Sequence, residues 1–153
     1  MTAGSTSTSF ALDLSKVRVL DGKCHRDSHL AQGPKGSDLR KRQSAFFCDS
    51  MVVTFNGPAV LIQFSEKRSR HQSPIGFSGG FDSDDYMTLE RVYLNSGKPL
   101  RPRDGGCKLF FRKPAAQSSL SDLTGIVCVG VVDEGDWRTV PLVRFDVTSI
   151  GER

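Results

Sequence analysis

The sequence predicts an all-β domain, arranged as a two-layer β-sandwich with at most one short helix. Seven prolines and 15 glycines are spread along the 153 residues and divide them into short segments, which favours strands and turns over long helices. Several of these segments are rich in valine, isoleucine and phenylalanine, which are enriched in strands. Turn residues separate them, without the alternation of strands and long helical segments that indicates a parallel sheet.

The clearest predicted element is a β-hairpin. Residues 51–55 and 59–64 are β-branched and aromatic runs, and Asn56-Gly57 between them is a strong signal for a two-residue hairpin turn. Alternate residues from Val60 to Phe64 are apolar. They should therefore share one buried face.

The remaining segments are assigned in the same way. Further short strands are predicted at residues 17–20, 74–81, 108–111, 125–132 and 141–147. Asp21-Gly22 is predicted as the turn that ends the first of them. Residues 23–45 show no apolar periodicity and are predicted as a loop, whereas residues 82–97 fit either a helix capped by Ser83 or a strand.

The domain organisation is predicted from composition. Residues 1–9 are a polar segment rich in Gly, Ser and Thr and are predicted to be disordered. A β domain is predicted over residues 10–97, and a Pro/Gly linker followed by additional strands over residues 98–153. No run approaches the roughly 18 apolar residues that span a bilayer, so we expect no membrane span. The first residues lack the pattern of a signal peptide, so the chain is expected to be intracellular or a fragment of a secreted protein.

Positive charge is concentrated in the first half of the chain. Residues 1–75 carry 11 Lys and Arg against 6 Asp and Glu, whereas residues 76–153 carry 10 against 11. Two clusters hold most of the excess, and their members are the predicted partner-binding residues: Lys35, Arg40, Lys41 and Arg42 in the first, and Lys67, Arg68 and Arg70 in the second. Such clusters attract phosphates, sulfated glycans or acidic proteins, although solvated loops are the plainer alternative.

The four cysteines are compatible with two disulfides. Cys24, Cys48, Cys107 and Cys128 are separated by 24, 59 and 21 residues. The short outer spacings favour the pairs Cys24–Cys48 and Cys107–Cys128. Four cysteines allow three pairings, and four reduced thiols in a cytosolic protein are an equal alternative.

Motifs for catalysis are incomplete. Residues 78–83, with the sequence SGGFDS, resemble the phosphate loop of ATP pyrophosphatases, but the surrounding βαβ pattern is missing, so a glycine turn is favoured. Cys24, His25, His29 and Cys48 offer zinc-binding atoms without the paired spacing of structural zinc sites. No Gly-x-Ser-x-Gly segment is present. We therefore predict no catalytic residues and a protein that is not an enzyme.

Four segments, taken in order, resemble the C-terminal half of a CUB domain. They are residues 17–22, 47–50, 57–66 and 76–77. CUB domains carry a VEIRDG-like strand and turn, an FCG-like cysteine, an LxLxFxSD strand and a closing GF strand in this order. The match covers about residues 12–81. Asp49 replaces the glycine of FCG, and the family's cysteine before the first strand is absent.

The resemblance implies a fold, a site and a role. The fold would be a sandwich of two sheets, whose N-terminal half is absent unless it is encoded outside these 153 residues. Asp21 and Glu66 would be the candidate calcium ligands, and no other cofactor is expected. The role would be extracellular recognition, and because the loops are basic the expected partner is a protein or an acidic, sulfated glycan. The alternative is an intracellular basic protein that binds nucleic acid, with Phe46 and Phe47 stacking on bases.

Overall fold

A computed structural model describes residues 17–68, 73–94 and 98–151. The strands formed in these residues are β1 (Val17–Cys24), β2 (His29–Pro34), β3 (Gln43–Ala45), β4 (Ser50–Asn56), β5 (Ala59–Ser65), β6 (Ile75–Ser83), β7 (Tyr86–Tyr93), β8 (Pro99–Leu100), β9 (Asp104–Phe111), β10 (Leu123–Glu134) and β11 (Trp137–Gly151). The helical elements in the same residues are the single 3-10 turns η1 (Leu39–Lys41), η2 (Ala115–Gln117) and η3 (Leu120–Asp122). The predicted all-β class is confirmed.

Eight strands close into an antiparallel barrel, so the predicted two-layer sandwich is wrong. Neighbouring strands follow the order β1-β4-β5-β6-β7-β9-β10-β11, and β11 pairs back to β1. Closure depends on the 15 residues of β11, whose first half pairs with β2 and whose second half pairs with β1. A sheet that closes on itself encloses its own core, so a second sheet is not needed to bury the apolar face.

The predicted hairpin forms between β4 and β5. Asn56 is the last residue of β4 and pairs with Ala59, so the turn residues are Gly57-Pro58 and not the predicted Asn56-Gly57. Gly57 has a φ of +62°. Glycine adopts this left-handed conformation without a steric penalty. Alternate residues from Val60 to Phe64 are buried and face the barrel interior, as their periodicity predicts.

Three phenylalanines occupy the centre of the barrel. Phe64, Phe77 and Phe145 are fully buried, and the ring centroid of Phe64 lies 6.1 Å from that of Phe77 and 5.7 Å from that of Phe145. Tilted and edge-to-face arrangements at these distances suit the charge distribution of aromatic rings. The core thus contains residues from both sides of the predicted boundary at residues 97 and 98.

Two segments rich in glycine lie within strands. Asp21-Gly22, predicted as a turn, is a β-bulge inside β1. A Cβ on Gly22 would overlap the carbonyl oxygen of Asp146, so the close approach of β11 requires glycine here. Residues 78–83, which resemble a phosphate loop, belong to β6 and are followed by strand β7 instead of a helix.

Residues 23–45, predicted as a loop, contain two strands. β2 pairs with the first half of β11, and β3 pairs with β2. The sequence signal is weak because β2 is only six residues long and ends in Gly33-Pro34. Residues 29–45 continue the sheet along the first half of β11, past the end of β1, and we call them the basic lobe.

Both predicted disulfides are formed. Cys24–Cys48 joins the end of β1 to the segment before β4, and Cys107–Cys128 joins opposite residues of β9 and β10. Disulfides persist in oxidising compartments, so the two bonds are compatible with an extracellular protein. Over the three described ranges, no helix is long and apolar enough to cross a membrane.

Candidate functional site

The basic lobe brings together four of the seven predicted partner-binding residues. Lys35 follows β2, Arg40 and Lys41 lie in η1, and Arg42 is the residue after it. Asp38 caps η1, because its carboxylate accepts a hydrogen bond of 3.1 Å from the backbone N–H of Arg40. One short helical turn therefore presents three consecutive cationic side chains.

Arg40 is held only loosely. Its guanidinium donates from Nε and Nη2 to the carboxylate of Asp38, at 3.0 and 3.2 Å. This hydrogen bonding lowers the pKa of the Asp38 carboxyl and raises the pKa of Arg40. The Arg40 side chain is nevertheless 87% exposed. An exposed pair of this kind contributes little stability, so the guanidinium is available to a ligand.

Lys41 and Arg42 have no carboxylate partner in the described part of the chain. Arg42 donates from Nε to the carbonyl oxygen of Gln32 at 3.0 Å, and its guanidinium carbon lies 5.9 Å from the ring centroid of Trp137. A Cβ on Gly33 would overlap the Arg42 side chain, so glycine leaves room for this cation–π contact. Trp137 remains 41% exposed. The lobe therefore combines cations with an accessible aromatic ring.

Asp133 anchors the lobe to the hairpin between β10 and β11. Arg138 donates to its carboxylate from Nε and Nη2 at 2.7 and 3.0 Å. Nitrogen atoms of Arg103 and Lys35 lie 3.4 and 3.8 Å from the same group. Hydrogen bonds from Arg138, followed by the charges of the three cations, lower the pKa of Asp133 to about 2. Three cations therefore share the Asp133 carboxylate.

The described residues of the second predicted cluster, Lys67 and Arg68, follow β5. Lys67 Nζ is 2.6 Å from Asp21 Oδ1, and the Lys67 backbone N–H donates to Asp49 Oδ1 at 2.9 Å. These bonds hold Lys67 against the bulge of β1 and the residue before β4. Arg68 is exposed, and Arg70 lies outside the described residues. No bond between described residues joins Lys67 or Arg68 to the basic lobe.

The candidate metal ligands have other contacts. Asp21 is paired with Lys67, and Glu66 is half-buried beside it. In residues 17–68, 73–94 and 98–151, no group of three His, Cys, Asp or Glu side chains is placed to hold a metal ion. Cys24 and Cys48 form a disulfide and so cannot serve as zinc ligands.

Sequence reasoning also misplaced one aromatic residue and missed another. Phe46, considered for base stacking, is buried in the core, whereas its neighbour Phe47 is 60% exposed. Trp137, Asp133 and Arg138 were not singled out. The available signal was Gly135 between two apolar runs, which indicates a hairpin and places Asp133 opposite Arg138.

No family model matches this chain, and no curated protein or solved structure is significantly similar to it. The resemblance to CUB domains therefore stays a prediction.

Proposed function

We propose that this protein is a non-enzymatic, extracellular interaction module whose basic lobe binds a sulfated glycan. The observation that carries the proposal is the presence of Arg40, Lys41 and Arg42 on one exposed turn beside Trp137. Guanidinium and ammonium groups donate strong hydrogen bonds to anionic oxygens. An exposed aromatic ring adds apolar contact at low conformational entropy.

The basic lobe is a better candidate than the turn at Lys67. Lys67 forms an ion pair with Asp21, as Arg40 does with Asp38, so at each of these two cations an anionic ligand competes with a carboxylate. Lys41 and Arg42 lack such a competitor among the described residues. An incoming sulfate therefore gains interactions without breaking an existing ion pair at these two residues.

The two disulfides support an extracellular setting, where sulfated glycans occur. Nucleic acid is the alternative ligand, since its phosphates are attracted by the same cations. Burial of Phe46 counts against it, because single-stranded nucleic acids usually stack on several exposed aromatic rings.

Calorimetric titration with a heparin octasaccharide tests the proposal. The lobe variant Arg40→Ala/Lys41→Ala removes two exposed positive charges. The matched control, Arg112→Ala/Lys113→Ala, removes the same charge after β9, at the opposite end of the barrel. We expect the lobe variant to bind at least about tenfold more weakly than the unmodified protein, because each cation contributes on the order of 1 kcal/mol.

Several results would count against the proposal. They are the absence of binding at low ionic strength, binding that does not weaken as salt is added, and equal losses in the lobe and control variants. An oligonucleotide of equal charge that binds more tightly than the octasaccharide would favour the nucleic-acid alternative.

A further inference from the structure

A second concave surface lies on the outer wall of the barrel, where β9, β10 and β11 are neighbours. It is an open groove of about 390 Å³. Phe110, Gly125 and Asp146 are cross-strand partners on these three strands. Because the middle residue has no side chain, the backbone of β10 becomes the floor of the groove. Its walls stand two strand spacings apart, roughly 9–10 Å.

One wall of the groove is aromatic. Phe110 is 46% exposed, whereas its neighbour Leu109 faces the interior and is buried. The hydroxyl of Thr124 donates to the Phe110 carbonyl oxygen at 3.1 Å and ties down the adjoining bulge of β10. The ring thus stands on a fixed backbone. It presents apolar surface that contributes nothing to the core.

The opposite wall is charged. Arg144 and Asp146 are on β11. Among the described residues, Arg144 donates no hydrogen bond to a carboxylate, and Asp146 accepts none from a cation. The guanidinium of Arg144 lies 3.8 Å from Asp27 and is 51% exposed. Lys23 of β1 is the cross-strand neighbour of Asp146. Two cations and two carboxylates surround this wall, so its net charge is close to zero.

We propose that this groove binds one uncharged pyranose residue, at a site separate from the basic lobe. A pyranose offers an apolar C–H face to Phe110 and hydroxyl groups that donate to Asp146 and accept from Arg144. A cationic ligand would meet Arg144 and Lys23, and an anionic ligand would meet Asp146 and Asp27. Concave sites with an apolar wall and a few polar groups that fix orientation are typical of small-ligand binding.

Titration of the ¹⁵N-labelled full chain with methyl β-D-glucopyranoside, methyl β-D-galactopyranoside and methyl α-D-mannopyranoside tests this site. At least one glycoside is expected to produce saturable chemical-shift changes in the backbone amides of residues 125–127. Phe110→Ala and Asp146→Asn are each expected to weaken that binding about tenfold. Phe81→Ala and Asp84→Asn, at exposed positions outside the groove, are the matched controls and should bind normally.

The proposal is overturned if none of the three glycosides gives saturable shifts at residues 125–127, or if the groove and control variants lose the same affinity. It is also overturned if an N-acetylated alanine tripeptide amide shifts these amides and the glycosides do not, because the groove would then hold a peptide. The glycosides carry no sulfate. A failure of heparin binding at the lobe would therefore leave this result unaffected.

Discussion

The two disulfides close loops of similar length around different structures. Cys24 and Cys48 are 24 residues apart and enclose the basic lobe, whereas Cys107 and Cys128 are 21 apart and enclose the connection between β9 and β10. Loop-closure entropy predicts about 3 kcal/mol for each bond. Any difference in the stability that the two disulfides contribute must therefore come from their positions in the fold. Cys107 and Cys128 are fully buried in the wall, whereas Cys24 and Cys48, at the base of the lobe, are 9% and 4% exposed.

The comparison shows which region depends on its covalent link. The wall disulfide joins two strands that are already paired over Asp104 to Phe111 and that pack against the core. The lobe has few buried residues of its own and is attached through β2 and the network around Asp133. We therefore expect the wall bond to affect global stability and the lobe bond to affect local order.

The largest effect is expected from removal of the wall disulfide. Cys107→Ala/Cys128→Ala should lower the free energy of unfolding by roughly 4–5 kcal/mol, because a cavity in the core adds to the lost loop constraint. Urea unfolding followed by far-UV circular dichroism measures this change. A loss smaller than that of the lobe variant would contradict the comparison.

Removal of the lobe disulfide should have a smaller and more local effect. Cys24→Ala/Cys48→Ala is expected to lower the free energy of unfolding by about 3 kcal/mol. Hydrogen exchange should show the selective loss. The amides of Gln32 and Phe46, which donate to Arg42 and Ser28, should lose protection well before those of β5. Equal loss of protection in the lobe and in β5 would show that the two regions unfold together.

Alanine substitutions at one glycine in the wall and one in the lobe should change stability by smaller amounts. Gly105 in the wall has a φ of +144°, and a Cβ there would lie 2.5 Å from the carbonyl oxygen of Val129. Gly105→Ala should therefore destabilise the protein by about 1–3 kcal/mol. Gly33→Ala in the lobe should destabilise it by less than about 1 kcal/mol, because its Cβ meets the flexible side chain of Arg42.

Thermal unfolding of both glycine variants measures the difference in stability. Gly33→Ala should also change the fluorescence of Trp137, because the new Cβ displaces the Arg42 side chain from the Trp137 ring. A change in fluorescence with Gly105→Ala but not with Gly33→Ala would contradict the proposed role of Gly33.

The smallest expected effect is the loss of stability when the Asp133 carboxylate is protonated at low pH. The folded-state pKa of Asp133 is depressed to about 2, from an ordinary value of 3.8. Its contribution to stability is therefore present above the unfolded pKa and is lost as the pH falls through about 2. A carboxyl carbon titration by NMR should give a midpoint near pH 2 for Asp133. A midpoint near 4 would show that the bonds from Arg138 do not persist in solution.

Local features of the sequence predicted much of the barrel. The hairpin between β4 and β5 and the alternation from Val60 to Phe64 appear as expected, since both depend on neighbouring residues. The turn itself is Gly57-Pro58, one residue later than the predicted Asn56-Gly57. The Asp21-Gly22 dipeptide was assigned to a turn because turns and bulges both favour glycine. Only the position of Asp146, which is far away in the sequence, distinguishes the two.

The candidate sites were predictable only in part. The cations at residues 35–42 are evident from composition, but their neighbours Trp137 and Asp133 come from the other end of the chain. The groove beside Phe110 depends on the register of three strands, which places Gly125 between an aromatic and a charged side chain. A shift of register by one residue would turn each of these side chains to the other face.

The amino-acid sequence by itself determined the strand-forming segments, the tight turn at Gly57, the spacing of the cysteines and the position of the positive charge. Each of these follows from propensity, periodicity or composition over a few residues. The tertiary structure decided that β11 pairs with both β1 and β2, so that a barrel closes and a lobe is attached to it. Pairings such as that of Cys24 with Phe145 connect residues more than a hundred positions apart, and local preference carries no information about them.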